Sequence, residues 1–170
     1  MSKVTALKQS KRHQNTTDGV LVGIDYPLIR EGSYEAVLLT WETSSRYAKK
    51  NPDNPSILKG GKIYLHWHID PYNNAGVGKD EVIVFMALNA NTVHLPLGDK
   101  GRFTASRRSN YGKLIKKQLG RSQSSKAATP DFFFGKLYEV NVRTVVSNEK
   151  QKPIPEDEQY SIVDRVIRQA

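Results

Sequence analysis

Residues 62–69 read KIYLHWHI, an unbroken alternation of apolar and polar side chains. No other feature of the chain limits its fold as much. Along a strand, successive side chains point to opposite faces. Ile63, Leu65, Trp67 and Ile69 therefore share one face, and Lys62, Tyr64, His66 and His68 share the other. One face suits a core and the other suits a surface. A second run, 136–147, sets Tyr138, Val140, Val142, Thr144 and Val146 against Leu137, Glu139, Asn141, Arg143 and Val145.

Two further segments read as strands from their β-branched and aromatic content. Residues 33–43 carry Tyr34, Val37, Leu38, Leu39 and Trp41, and residues 81–88 are apolar on both faces, with an extension open through Val93 to Leu97. Trp41, Trp67, Phe85, Tyr138 and Val142 are the expected core. Between the strands, 44–61 reads as a long basic loop, 71–79 as a turn and 98–104 as a second basic loop. Tyr111, Leu114, Ile115 and Leu119 recur at helical spacing, so 109–119 is expected to be a helix. Ser109 or Ser106 would cap it and Gly120 would end it. A short amphipathic segment, 160–168, is expected to form a terminal helix.

This order predicts a mainly β protein. The expected architecture is an OB-like antiparallel barrel, with one helix between strands 3 and 4 and a short C-terminal helix. Its fifth strand is either the apolar run 19–24 or part of 159–166. At 170 residues the chain suits one domain. Residues 1–18 are polar, basic and without pattern, and are expected to be a flexible arm before a single domain over 19–170.

The chain has no cysteine, which rules out disulfides and thiolate metal sites. It has no apolar run near the roughly 20 residues of a membrane helix, and its first 18 residues lack the apolar stretch of a signal peptide. A cytoplasmic protein without a membrane partner is the expectation.

The formal net charge is +9, and its placement says more than its size. Nine Lys and Arg lie between Lys100 and Lys126 with no acid among them. The first 17 residues add Lys3, Lys8, Lys11 and Arg12, again with no acid. The rest of the chain holds 13 basic residues against all 17 acidic ones. Concentrated cations attract phosphate backbones, whereas a solvated basic face would only aid solubility.

Next to Lys62, the outward Tyr64, His66 and His68 form a candidate stacking face, because every base offers a π-face to an aromatic ring. The loop that leads into it brings Arg46, Tyr47, Lys49 and Lys50. Arg107, Arg108, Lys113, Lys116 and Lys117 decorate the expected helix, and Arg143 lies on the later strand. Tyr47, Tyr64, His66 and His68 are the expected base contacts, and the cations are the expected phosphate contacts. His66 and His68 also have the spacing of two metal ligands on one strand, with Asp70 or His94 as further donors, but nothing in the spacing demands them. No metal or cofactor is expected. There is no phosphate-binding loop, no dinucleotide fingerprint after a strand, no nucleophile elbow and no carboxylate cluster for two-metal cleavage. The expectation is a binder with no catalytic residues.

Two stretches carry a resemblance. The first runs from Glu31-Gly32-Ser33-Tyr34-Glu35-Ala36 through Trp41-Glu42-Thr43 to the strand 62–69. The second is Gly135 to Val145 followed by Tyr160-Ser161-Ile162-Val163. In this layout the chain resembles single-stranded-DNA-binding-like proteins of OB-like fold encoded by phages, plasmids and other mobile elements. The resemblance covers roughly 31–70 and 132–166. It implies a replication or recombination accessory that binds single-stranded nucleic acid, DNA first and RNA as the alternative, with self-association left open. The acidic, Gly/Pro-rich C-terminal tail of single-strand-binding proteins is missing here, and the chain ends in VDRVIRQA. A second expectation, from a different class, is a small inhibitor that uses the same basic surface against an acidic host protein.

Overall fold

The computed structural model describes residues 26–44, 49–69, 82–93, 101–120, 129–148 and 150–170. The expected arm, 1–18, and the apolar run 19–24 lie outside these residues. Seven strands form one sheet: β1 (Gly32–Ser44), β2 (Lys49–Asn51), β3 (Asn54–Ile69), β4 (Val82–Val93), β5 (Phe103–Thr104), β6 (Leu137–Val145) and β7 (Tyr160–Gln169). One α-helix, α1 (Asn110–Leu119), follows β5.

The five long strands close on themselves. β1 pairs with β3 on one side and β6 on the other, β6 pairs with β7, β7 with β4, and β4 returns to β3. Counted as long strands, the circuit runs first, second, third, fifth, fourth and back to the first. All pairings are antiparallel except β4 with β7, which is parallel and registered at a single position, Phe85 opposite Ile162. The described residues are thus mainly β, with a closed five-strand barrel and one α-helix.

Alternation fills the barrel as the sequence predicts. Ile63, Leu65, Trp67 and Ile69 are fully buried, as are Val84, Val140 and Val142 from the neighbouring strands. One end is sealed by aromatic rings. A 3-10 turn, Pro130–Phe133, sets Phe133 edge-on against Trp67 and Tyr138, with centroids 5.3 and 5.0 Å away. Trp41 meets Phe103 at 6.0 Å, and Phe103 meets Tyr111 of α1 at 5.1 Å. Helix α1 begins at the expected cap. The Ser109 hydroxyl accepts from the Gly112 N–H, and Gly120 closes the helix with φ of 78°.

Three expectations are corrected. Residues 160–169 form a strand, not a terminal helix, and it is the strand that completes the barrel. Val163 and Val166 are both buried although three residues apart, a spacing that reads as helical. Register shifts between β6 and β7 allow it, because a bulge lets two inward side chains be separated by an extra residue. The stretch 44–61 is not a long loop. It holds a hairpin in which Lys49 pairs with Lys59 and Asn51 with Asn54. Phe85 is not in the core. It is half-buried on the outer face of β4, where Val82, Val84, Met86 and Leu88 point inward. A strand that is apolar on both faces gives no signal for which face turns in.

Candidate nucleic-acid interface

Antiparallel partners share a face, so the β3–β4 register builds the outer surface directly. His68 lies opposite Ile83, His66 opposite Phe85, Tyr64 opposite Ala87 and Lys62 opposite Asn89. Lys62, Tyr64, His66 and His68 all point outward and are all half-buried. Tyr64 reaches diagonally to Phe85, with centroids 5.8 Å apart.

Two more rings join from distant parts of the chain. Tyr160, the first residue of β7, lies nearly parallel to Phe85 at 5.9 Å and 22°. Tyr26 packs on both, 4.7 Å from Phe85 and 5.4 Å from Tyr160. Tyr26 is held there by the strap that follows it. The Ser161 N–H donates to Pro27 O, the Ile29 N–H donates to Ser161 Oγ, and that hydroxyl donates back to Ile29 O. Ser161 is fully buried, so the strap is fixed from within. The Tyr34 hydroxyl donates to Arg30 O at 2.6 Å and secures the other end. Tyr26, Tyr64, Phe85 and Tyr160 thus form one aromatic cluster on the outside of β3, β4 and β7.

The two histidines sit beside this cluster in different ways. His66 Nε2 is 3.4 Å from Glu42 Oε1 of β1. The His68 Nε2 is buried and has no hydrogen-bond partner among the described residues. Among the described residues, no three His, Cys, Asp or Glu side chains gather as a metal site would require. Asp70 and His94 lie outside them.

The cations divide into three groups. Lys113, Lys117 and Arg143 line a single groove of about 360 Å³ between α1 and strands β4 and β7. Arg165 joins them there. Lys117 Nζ donates to Val166 O at 3.3 Å, and Arg143 Nε donates to Asp164 Oδ1 at 2.8 Å. Arg107, Arg108 and Lys116 are exposed and do not line this groove. Lys49 is exposed on the β2–β3 hairpin beyond Lys62, with Lys50 next to it in β2. Arg46 and Tyr47 lie outside the described residues. An opposing charge lies close by, since Glu156, Asp157 and Glu158 are exposed just before Tyr160.

Sequence reasoning missed Tyr26, Phe85 and Tyr160. Phe85 had the signal of an aromatic within a strand, but not of the face it would take, and Tyr160 stood in a segment expected to be helical. Tyr26 had no signal, because contacts made across the fold, such as the hydrogen bonds of Ser161 to the strap, bring it to the sheet. No helix among the described residues is long and apolar enough to cross a membrane. Comparison with protein-family models, with curated proteins and with solved structures gave no match.

Proposed function

We propose that this protein binds single-stranded nucleic acid, DNA in the first instance, on the outer surface of β3, β4 and β7, and does so without catalysis. The observation that carries the reading is the cluster of Tyr26, Tyr64, Phe85 and Tyr160 on a barrel surface that runs into a cationic groove. Unpaired bases stack on such rings at about 1–3 kcal/mol each, while duplex bases already stack on one another. The barrel supports the same reading. A five-stranded closed circuit with one parallel contact and a helix before the fourth long strand is OB-like, and OB-folds bind oligonucleotides on the face of their second and third strands and on the adjoining loops. In this chain those strands are β3 and β4. A role as a replication or recombination accessory of a mobile element belongs to the same proposal and rests on the resemblance of 31–70 and 132–166.

The test is a fluorescence-anisotropy titration with labelled oligo-dT and with duplex of the same length, at two salt concentrations. Tight, salt-steep binding of the single strand is expected, with Phe85→Ala and Tyr160→Ala each weakening it by about 1–3 kcal/mol. Absence of binding to the single strand at low salt overturns the proposal. Equal affinity for duplex reduces it to general attraction for polyanions.

A further inference from the structure

The two ends of the aromatic cluster differ in charge. β4 and β7 run parallel, so they leave the cluster in the same direction. At the start of β7 lie Glu156, Asp157 and Glu158. Two outward steps along the strands from Phe85 and Tyr160 lie Ala87 and Ile162, which line the groove with Lys113, Lys117, Arg143 and Arg165. The groove's one acid, Asp164, is already engaged by Arg143 at 2.8 Å and approached by Arg165 at 3.7 Å. Beyond it on β3 lie Lys62 and the hairpin with Lys49. Lys150 and Lys152 in the turn beside those acids offset two of the three, so a phosphodiester is drawn to the groove, where four cations face one acid.

We infer that the groove between α1, β4 and β7 is a phosphate-binding subsite. It holds the backbone of the nucleotides that adjoin those stacked on the aromatic cluster, and so gives the strand a fixed path across the barrel. This rests on the proposed single-strand binding and adds to it a second surface, a role for α1 and a fixed path. Lys113 and Arg165 are the principal phosphate contacts, because Lys117 is committed to the Val166 carbonyl and Arg143 to Asp164. Asp164 limits affinity by holding Arg143 and by its own negative charge in the groove.

The experiment measures oligo-dT affinity against salt for three variants of the full chain. Lys113→Ala with Arg165→Ala removes two exposed cations from the groove. Lys150→Ala with Lys152→Ala removes the same charge from the turn beside the acids. Asp164→Asn frees Arg143 and removes the groove's negative charge. For single strands the slope of log K against log salt changes by about 0.7 for each phosphate contact. The groove pair is expected to lower the slope's magnitude by about 1.4 and the affinity by about tenfold, and the turn pair to leave the slope unchanged. Asp164→Asn is expected to bind more tightly than the wild type, a gain that misfolding does not produce. Equal slope losses in both double variants would mean a net-charge effect and overturn the subsite. No effect of the groove pair, with Phe85→Ala still weakening binding, overturns the subsite and leaves the aromatic surface standing. A wild-type chain that binds no oligonucleotide overturns both.

Discussion

Asp131 shows how one side chain can tie two structural arguments together. It accepts from Trp41 Nε1 at 2.6 Å and from Thr129 Oγ1 at 2.9 Å, and so holds the 3-10 turn that seals the barrel to β1. Hydrogen bonds to a charged partner contribute more than neutral ones, and a buried donor that loses its acceptor keeps its desolvation cost. Asp131→Ala is expected to cost about 1.5–3 kcal/mol in urea unfolding. Its charge also reaches Tyr111. Burial first, and the Asp131 carboxylate second, raise the Tyr111 phenol well above its ordinary value of 10.0. Burial raises Tyr34 and Tyr138 in the same direction. Above pH 10 the unfolded chain releases these protons more readily than the folded one, so stability is fully present below that pH and is lost as pH rises through the folded values. Urea midpoints measured from pH 8 to pH 11 should fall for the wild type and fall less for Tyr111→Phe. An identical decline in both would refute the account of Tyr111. The residue pattern already marked Trp41 and Trp67 as core, because a bulky ring on the apolar face of an alternating strand has little other use. It could not pair Trp41 with Asp131, which lies 90 positions along the chain.

At the scale of elements, α1 is the part most legible in the sequence. Its cap at Ser109, its stop at Gly120 and its buried stripe of Tyr111, Leu114 and Ile115 are all local. One feature of it runs against propensity. Gly112 lies in the helix, where alanine is ordinarily better by about 1 kcal/mol. Here a β-carbon at 112 would run into the Ser106 carbonyl and lie 2.8 Å from Arg107 Cα, both backbone atoms of the turn that starts the helix. Gly112→Ala is therefore expected to lower the thermal midpoint rather than raise it, which a melting curve would check. β7 is the element least legible in the sequence. Its inward residues include Val163 and Val166, and the register shift that makes this compatible with a strand belongs to its pairing with β6. β1 has the same irregularity, with Leu38 and Trp41 buried and Leu39 exposed across a shift between Leu38 and Thr40. Bulges hide strands from a reader of periodicity, because they convert a period of two into a local spacing of three.

For the whole molecule, closure depends on the last strand. Without β7, both β4 and β6 lose a neighbour, and Val140 and Val142 lose Val166 and Val163 beside them. Deleting 160–170 is expected to abolish cooperative unfolding, read by circular dichroism during a thermal melt, rather than to trim a dispensable terminus. Local pattern marks the strands over 33–43, 62–69, 81–88 and 136–147, the apolar faces of 62–69 and 136–147, the start and end of the helix, and the segregation of positive charge from the body of the chain. Each of these follows from neighbours a few residues apart. Tertiary structure alone decided that 160–169 closes the barrel, that Phe85 faces out, that Tyr26, Tyr64, Phe85 and Tyr160 meet, and that Lys113, Lys117 and Arg143 share one groove. These are relations across strand register and across loops. Alternation states that a residue is on one face or the other, but it carries no information about which residue of another strand stands beside it. Concentrated charge could be read from the chain, but its position beside the aromatic cluster depended on how the barrel closed.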